Sequence, residues 1–479
     1  MADMGPISRR HALQGVGGLG VSAWLAVGAH GGEPAAGQTA DMPGRANPKI
    51  VEKVFTTMLI DTHEHLIEEK ERLEASHPRV QADDWSLLLS HYLNSDLLVA
   101  GMPKDAYDAF FSRKTPVADK WRLLEPYWPA VKNTGYGQAV RIAMRQLYNV
   151  DDLSAATVSK VQAAYEQTRK PGFYKHILCE LGKIESCQVN YLNRAFYETS
   201  MPTLLMQDIS IVGMFAGPDI DGLSKPTGLE VRTLDDWHAV IDWWFDKYGK
   251  YAVAVKSGNA YSRDIDYEQI PAGRVEGLFR KRIVNELLPA AEKKELEDHL
   301  FWYAAQKATQ YKLPIKLHTG YYAGQNGMPL DRLSHNAASA GELCRKAPDT
   351  KFVLMHICYP YYEELLAIAK QYTNAYVDMC WSWIINPIAA KDFLKKYLVT
   401  APANKILTFG GDYVPVELIL GHATMARRGI ALALSELVEE GWLTLPDAMD
   451  LVDPIMHNNA RQLFNLAEKT RVLQDVPWG

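Results

Sequence analysis

The sequence predicts an α/β fold, a parallel (β/α)8 barrel with a helical insertion between its first two strands. Three observations predict it. Short apolar runs rich in β-forming residues, bounded by Gly or Pro, alternate with longer helical stretches along most of the 479 residues. Eight such runs in βα alternation suit a closed parallel sheet. Four of them end on a residue able to bind a metal, and a barrel gathers the carboxyl ends of its strands at one mouth. A doubly wound open sheet is the rival topology. It would less naturally bring the first, fifth, sixth and eighth strands to one point.

The first run, Leu59-Ile60-Asp61-Thr62-His63-Glu64-His65-Leu66, delivers two histidines at i and i+2. Strand side chains alternate between faces, so both imidazoles leave on the same side. Neutral imidazole is the commonest zinc ligand and also suits iron, copper and nickel. Two histidines with unrelated roles are the plain alternative, and the later strands weigh against it. Leu313 to Gly320 carries His318, Lys351 to His356 stops before Tyr359-Pro360, and Asn404 to Asp412 ends on a carboxylate. The series is therefore HxH, His, His, Asp.

The intervening strands are expected at 185–190, 202–212, 251–256 and 375–379, with the ligand-bearing ones at 314–318, 352–356 and 406–412. Helices are expected at 234–248, 292–311, 337–346, 361–371, 389–397 and 416–439. The insertion spans about 68–181. Within it Trp85, Leu88, Leu89, Tyr92, Leu93 and Leu97 recur at helical spacing, so at least part is an amphipathic helix whose side chains are mostly core. Loops leaving the carboxyl ends of barrel strands surround the site, so this insertion is expected to roof it.

The first residues read differently. Ser8-Arg9-Arg10 precedes an uncharged Gly/Ala/Leu/Val stretch from Ala12 to Ala29, a basic and then apolar pattern resembling a twin-arginine export signal. Residues 1–29 are expected to be that signal, 30–48 a linker rich in Gly, Ala and Pro, and 49–479 the barrel domain. The expected location is periplasmic or otherwise exported, with the Tat machinery as a partner; the apolar stretch is also long enough for an uncleaved membrane anchor.

Composition suits a globular enzyme: 47% hydrophobic, 23% charged, net charge −6. Weak acidity argues against nucleic acid as a partner and leaves a small-molecule substrate, with a homo-oligomer compatible. Cys179, Cys187, Cys344, Cys358 and Cys380 are odd in number and scattered, so no disulfide framework or CxxC site is implied.

The order HxH, Lys, His, His, Asp on an eight-stranded barrel resembles the amidohydrolase superfamily of metal-dependent hydrolases. The nearer likeness is to the amidohydrolase domain of glutamine synthetase-like fusion proteins, with uronate isomerases more distant. It is carried by Lys256 to Arg263 (KSGNAYSR), Pro314 to Gly320 (PIKLHTG), Met355 to Tyr361 (MHICYPY), Ile406 to Glu417 (ILTFGGDYVPVE) and the closing HNNARQLFNL from His457 to Leu466.

The resemblance implies a divalent transition metal, zinc by expectation, held by His63, His65 and Asp412 with His318 as a further ligand. One essential ion is favoured; a carboxylated Lys256 bridging two ions, with His356 at the second, is permitted. Lys256 followed by Ser-Gly would otherwise hold a substrate carboxylate. In the implied mechanism Asp412 is the base and His356 a second-metal ligand or a stabiliser of the oxyanion. Lys316 shares parity with His318 and should face an acidic group of protein or substrate.

Tyr261 and Arg263 follow Lys256 as candidate substrate contacts, Arg263 being equally a solvated loop residue. Cys358 reads as a buried, inert thiol or an inward one, and Asp378 and Trp381 as pocket walls or packing. The expected activity is hydrolysis of an amide or related C–N or ester bond in a small, carboxylate-bearing substrate. Decarboxylation and uronate-type isomerisation are the alternatives, with a non-catalytic binding barrel behind them.

Overall fold

The computed structural model of the protein describes residues 42, 44–74, 83–192, 194–215 and 220–478. The expected signal at 1–29 and most of the expected linker lie outside the described residues. A helix, α1 (Pro48–Thr56), leads into the barrel.

Two parallel sheets run β1 (Leu59–Glu64), β2 (Ile184–Val189), β3 (Leu205–Gln207) and then β4 (Ile209–Ser210), β5 (Val255–Ser257), β6 (Ile315–His318), β7 (Phe352–Met355), β8 (Ala375–Asp378), β9 (Ile406–Leu407). They are arcs of one barrel. The third expected strand is split at Asp208: its first half pairs with β2, and the amide of Asp208 donates to Val189 O at 2.9 Å. The second half pairs with β5, Ile209 N–H donating to Ala254 O at 2.9 Å.

At the other seam the regular part of the last strand is only Ile406–Leu407, shorter than the sequence suggests. Beyond it the chain still bonds to β1. Thr62 N–H donates to Phe409 O (3.0 Å), Asp412 N–H to His63 O (2.9 Å) and His65 N–H to Tyr413 O (3.1 Å). These bonds close the barrel and fix the two ligand-bearing strand ends against each other. Glycine permits the closure, because a Cβ on Gly411 would fall 1.8 Å from Glu64 Oε1.

Between β1 and β2 the chain is helical and includes α2 (Leu93–Val99) and α3 (Gly135–Tyr148). The helix suggested by Trp85 to Leu97 is not continuous. A tight 3-10 turn over Trp85–Leu89 and α2 are separated at Tyr92, whose φ is +69°. Tyr92 leaves the helical path to reach the barrel mouth, and the surrounding Trp85, Leu88, Leu89, Leu93 and Leu97 remain buried as core.

The outer ring then follows the expected order: α4 (Leu234–Tyr248), α5 (Ala290–Gln310), α6 (Leu333–Lys346), α7 (Glu363–Gln371), α8 (Pro387–Thr400) and α9 (Val416–Glu439). α9 lies against α3 at Gly421, where a Cβ would meet Ala139 O at 2.0 Å. Arg427 of α9 is buried and donates to the carbonyls of Val54, Thr57 and Gly182 at 2.7–3.0 Å, tying α1 and the insertion's end to the barrel. Among the described residues no helix is long and apolar enough to cross a membrane.

Candidate metal centre

β1 and the chain after β9 bring His63, His65 and Asp412 together. Both imidazole Nε2 atoms stand 3.2 Å from Asp412 Oδ1, and the rings meet edge to face with centroids 4.7 Å apart. The tautomers follow from the outer contacts. His65 Nδ1 lies 2.8 Å from Asn190 O, a group that only accepts, so Nδ1 carries a hydrogen, and in the neutral form of the ring it is the Nε2 lone pair that faces the Asp412 carboxylate.

A lone pair facing a carboxylate calls for a cation. Burial, opposed by Asp412, holds His63 well below the ordinary imidazole range, so it is neutral and ligand-competent. Burial alone would push Asp412 up; its contacts with His63 and His65 outweigh this and hold it well below the usual carboxylate range. The donor set fits a divalent ion.

Asp412 sits at φ +61°, a conformation unfavourable for a residue with a Cβ, and the sequence reading did not show what holds it there. The Tyr92 hydroxyl does so in part, donating to Asp412 O at 2.6 Å from the roof. Below, the Gly411 amide donates to Asp61 Oδ1 (3.2 Å) and the Tyr413 amide to Glu64 Oε2 (2.7 Å). Burial raises both acids, Asp61 to about 6 and Glu64 well above its ordinary value, so this stacked pair holds a proton beneath the centre.

His318 faces the same space but is outside that three-residue group. Its Nε2 donates to Gly320 O at 3.1 Å, leaving Nδ1 as the free acceptor, and its ring lies 4.4 Å from that of His356. His356 departs from one expected role. Its Nδ1 donates to Cys380 O (3.1 Å), and burial, though Asp412 opposes it, lowers it to about 4. Nε2 is therefore a lone pair, suited to a metal and unable to donate to an oxyanion.

Lys256 is buried among these groups, Nζ making a 3.3 Å contact with Ser257 O, and burial lowers it to about 8 against the attraction of Asp412. Tyr261 stands at the rim, its ring centroid 4.6 Å from that of His318 and its hydroxyl accepting from Ala323 N–H at 3.1 Å.

Two expected substrate contacts are corrected. Lys316 does turn inward, but Asp208 takes it at 2.8 and 3.1 Å together with Thr62 O at 2.7 Å, and it is wholly buried below the centre. The acidic partner left open by the sequence is thus the protein's own. Arg263 is held by Asp298 (2.5 Å) and Glu297 (3.2 Å) of α5, so its guanidinium is committed to the ring of helices.

Cys358 is a buried thiol raised to about 12 by burial. Asp378 accepts from Thr62 Oγ1 (2.7 Å) and Cys380 N–H (2.8 Å) beneath the pocket. Trp381 lines it, 5.6 Å from the His356 ring and 6.0 Å from that of Tyr92. In the sequence Cys380 stands only among the five scattered cysteines, although it lies two residues past β8, at the carboxyl end of a strand as His318 and His356 do.

Fold and donor set together define a parallel-barrel, metal-binding protein. A family model described as amidohydrolase matches residues 284–466. Over 229 residues the chain is 28% identical to Protein fluG of Emericella nidulans, covering 45% of this chain and 26% of that protein. The chain thus spans about a quarter of the length of the curated relative it matches.

Uronate isomerase from Thermotoga maritima is similar in structure, with TM-score 0.70 at 15% identity, over 88% of this chain and 98% of that one. Glucuronate isomerase from Caulobacter crescentus gives 0.70 at 15%, over 91% and 97%. A Lactobacillus casei protein provisionally described as a metal-dependent hydrolase gives 0.60 at 16%, over 88% and 98%. At such identities these likenesses concern the fold. Over residues 284–466 the chain thus resembles the amidohydrolase family, and its fold is like that of these uronate isomerase and metal-dependent hydrolase structures.

Proposed function

We propose that the protein is a metal-dependent hydrolase that cleaves an amide, or a related C–N or ester bond, in a small carboxylate-bearing substrate. The observation that carries this reading is the meeting of two imidazole Nε2 atoms on one oxygen of a carboxylate at the barrel mouth. His63, His65 and Asp412 would hold the essential ion, with zinc suited to such N/O donors and His318 Nδ1 as a further donor. An ion bound there supplies Lewis acidity toward a carbonyl oxygen and lowers the pKa of a water.

Asp412, ionised and fixed by Tyr92, accepts the attacking water's proton and returns it to the leaving group. Lys256, the buried cation beside Asp412, donates to the substrate's carboxylate. The insertion's aromatic residues cover the site and exclude bulk water.

The test is turnover by the zinc-loaded protein on a panel of carboxylate-bearing amides and esters, uronates and carboxylic acids. Amine or alcohol release, abolished by His63→Ala, supports the reading. Ketose formation from a uronate, or carbon dioxide release, would instead assign isomerisation or decarboxylation. The Arg9-Arg10 pattern supports export through the twin-arginine route to the periplasm as part of the same proposal.

A further inference from the structure

Three strand ends converge beside the His63 and His65 pair. His356 follows β7, Cys380 follows β8 and Asp412 ends the run after β9, and one donor atom from each lies within 4.8 Å of the others. Asp412 also belongs to the His63 and His65 group, so two donor sets share one carboxylate. The His356 tautomer leaves Nε2 as a lone pair, since Nδ1 is spent on Cys380 O.

The thiol is placed by the backbone on both sides. Cys380 N–H donates to Asp378 Oδ1 at 2.8 Å. A Cβ on Gly410 would fall 2.8 Å from Cys380 Cβ and 2.9 Å from its Sγ, so bare backbone at Gly410 makes room for the sulfur. Lys256 and Asp412 on one side and Asp378, Asp61 and Glu64 beneath all act electrostatically on that sulfur, which sets it between the central groups and the carboxyls below them. Cys187 and Cys358, the other buried thiols near the barrel core, belong to neither donor set; they lie against Asp61 and Thr319.

We propose that Cys380 is a metal ligand and forms, with His356 and Asp412, a second ion position sharing Asp412 with the first. Thiolate, imidazole and carboxylate together suit zinc, and cobalt(II) as its spectroscopic substitute. When the sulfur–metal bond forms, the thiol proton passes to buffer and the sulfur electron pair enters the bond, with no change of oxidation state. The inference concerns metal binding and stands whichever reaction the enzyme performs.

The test is cobalt(II) titration of the full chain after chelation, read by near-ultraviolet absorption and by metal analysis. We expect about two ions per chain and a thiolate-to-cobalt charge-transfer band. Cys380→Ser should lose the band and one ion, Cys358→Ser should keep both, and His63→Ala should keep the band while binding one ion fewer. A saturated, folded parent without the band overturns the proposal, and needs no variant. So does a band that survives Cys380→Ser. Loss of hydrolysis with the band intact would instead count against the proposed reaction.

Discussion

Removing one oxygen from the roof should loosen the metal centre. Tyr92→Phe keeps the ring and its stack on Tyr136, centroids 5.2 Å apart, but deletes the 2.6 Å hydrogen bond to Asp412 O. A buried carbonyl left without its donor costs about 1–3 kcal/mol. Asp412 is also held at φ +61°, so the strand end relaxes once released.

The relaxation must be reversed when His63, His65 and Asp412 close on an ion. Up to the same ~1–3 kcal/mol therefore passes into metal binding, a roughly fivefold to hundredfold rise in Kd. Chelator competition with the purified chain measures the affinity, and urea unfolding of the apo form measures the stability. If Tyr92→Phe stays within about 0.5 kcal/mol of the parent in both, the limit expected for a neutral surface change, the roof does not position Asp412.

Asp412→Asn keeps an oxygen near the ion but cannot take a proton; with metal retained, kcat should fall about a hundredfold to ten-thousandfold, whereas His63→Ala should lose metal first. Near-parent turnover by a fully loaded Asp412→Asn chain would remove Asp412 as the base. Lys316→Met strands the buried Asp208 carboxylate and should destabilise by about 3–5 kcal/mol in urea, with Lys316→Met/Asp208→Leu recovering much of it. A silent single variant would mean the pair carries no charge.

Burial raises the Asp378 carboxyl from 3.8 to about 7 against the lowering contacts of Thr62 and Cys380. Its contribution to stability is therefore full below 3.8 and is lost as pH rises through the folded value. Asp378→Asn cannot titrate, so its unfolding free energy relative to the parent should rise across that interval; a difference independent of pH would refute the assignment. Finally, replacing Arg9 and Arg10 by lysine should retain the precursor in the cytoplasm, checked by fractionation, and undiminished export would exclude the twin-arginine route.

The sequence by itself determined the barrel and the residues at its mouth. Strand periodicity sends His63 and His65 to one face, and the carboxyl ends of parallel strands share one side, so local pattern suffices to group them. It also determined that Lys316 turns inward and needs an acid. Partner choice was decided only in three dimensions, because it depends on residues far apart in the chain. Asp208 claims Lys316 from 108 residues away, and Glu297 and Asp298 withdraw Arg263 from the pocket. The roof reaches Asp412 across 320 residues through a break at Tyr92 that an apolar helical spacing conceals. Cys380 becomes a candidate ligand only when the barrel closes, for closure sets its sulfur against Gly410 and beside His356 and Asp412.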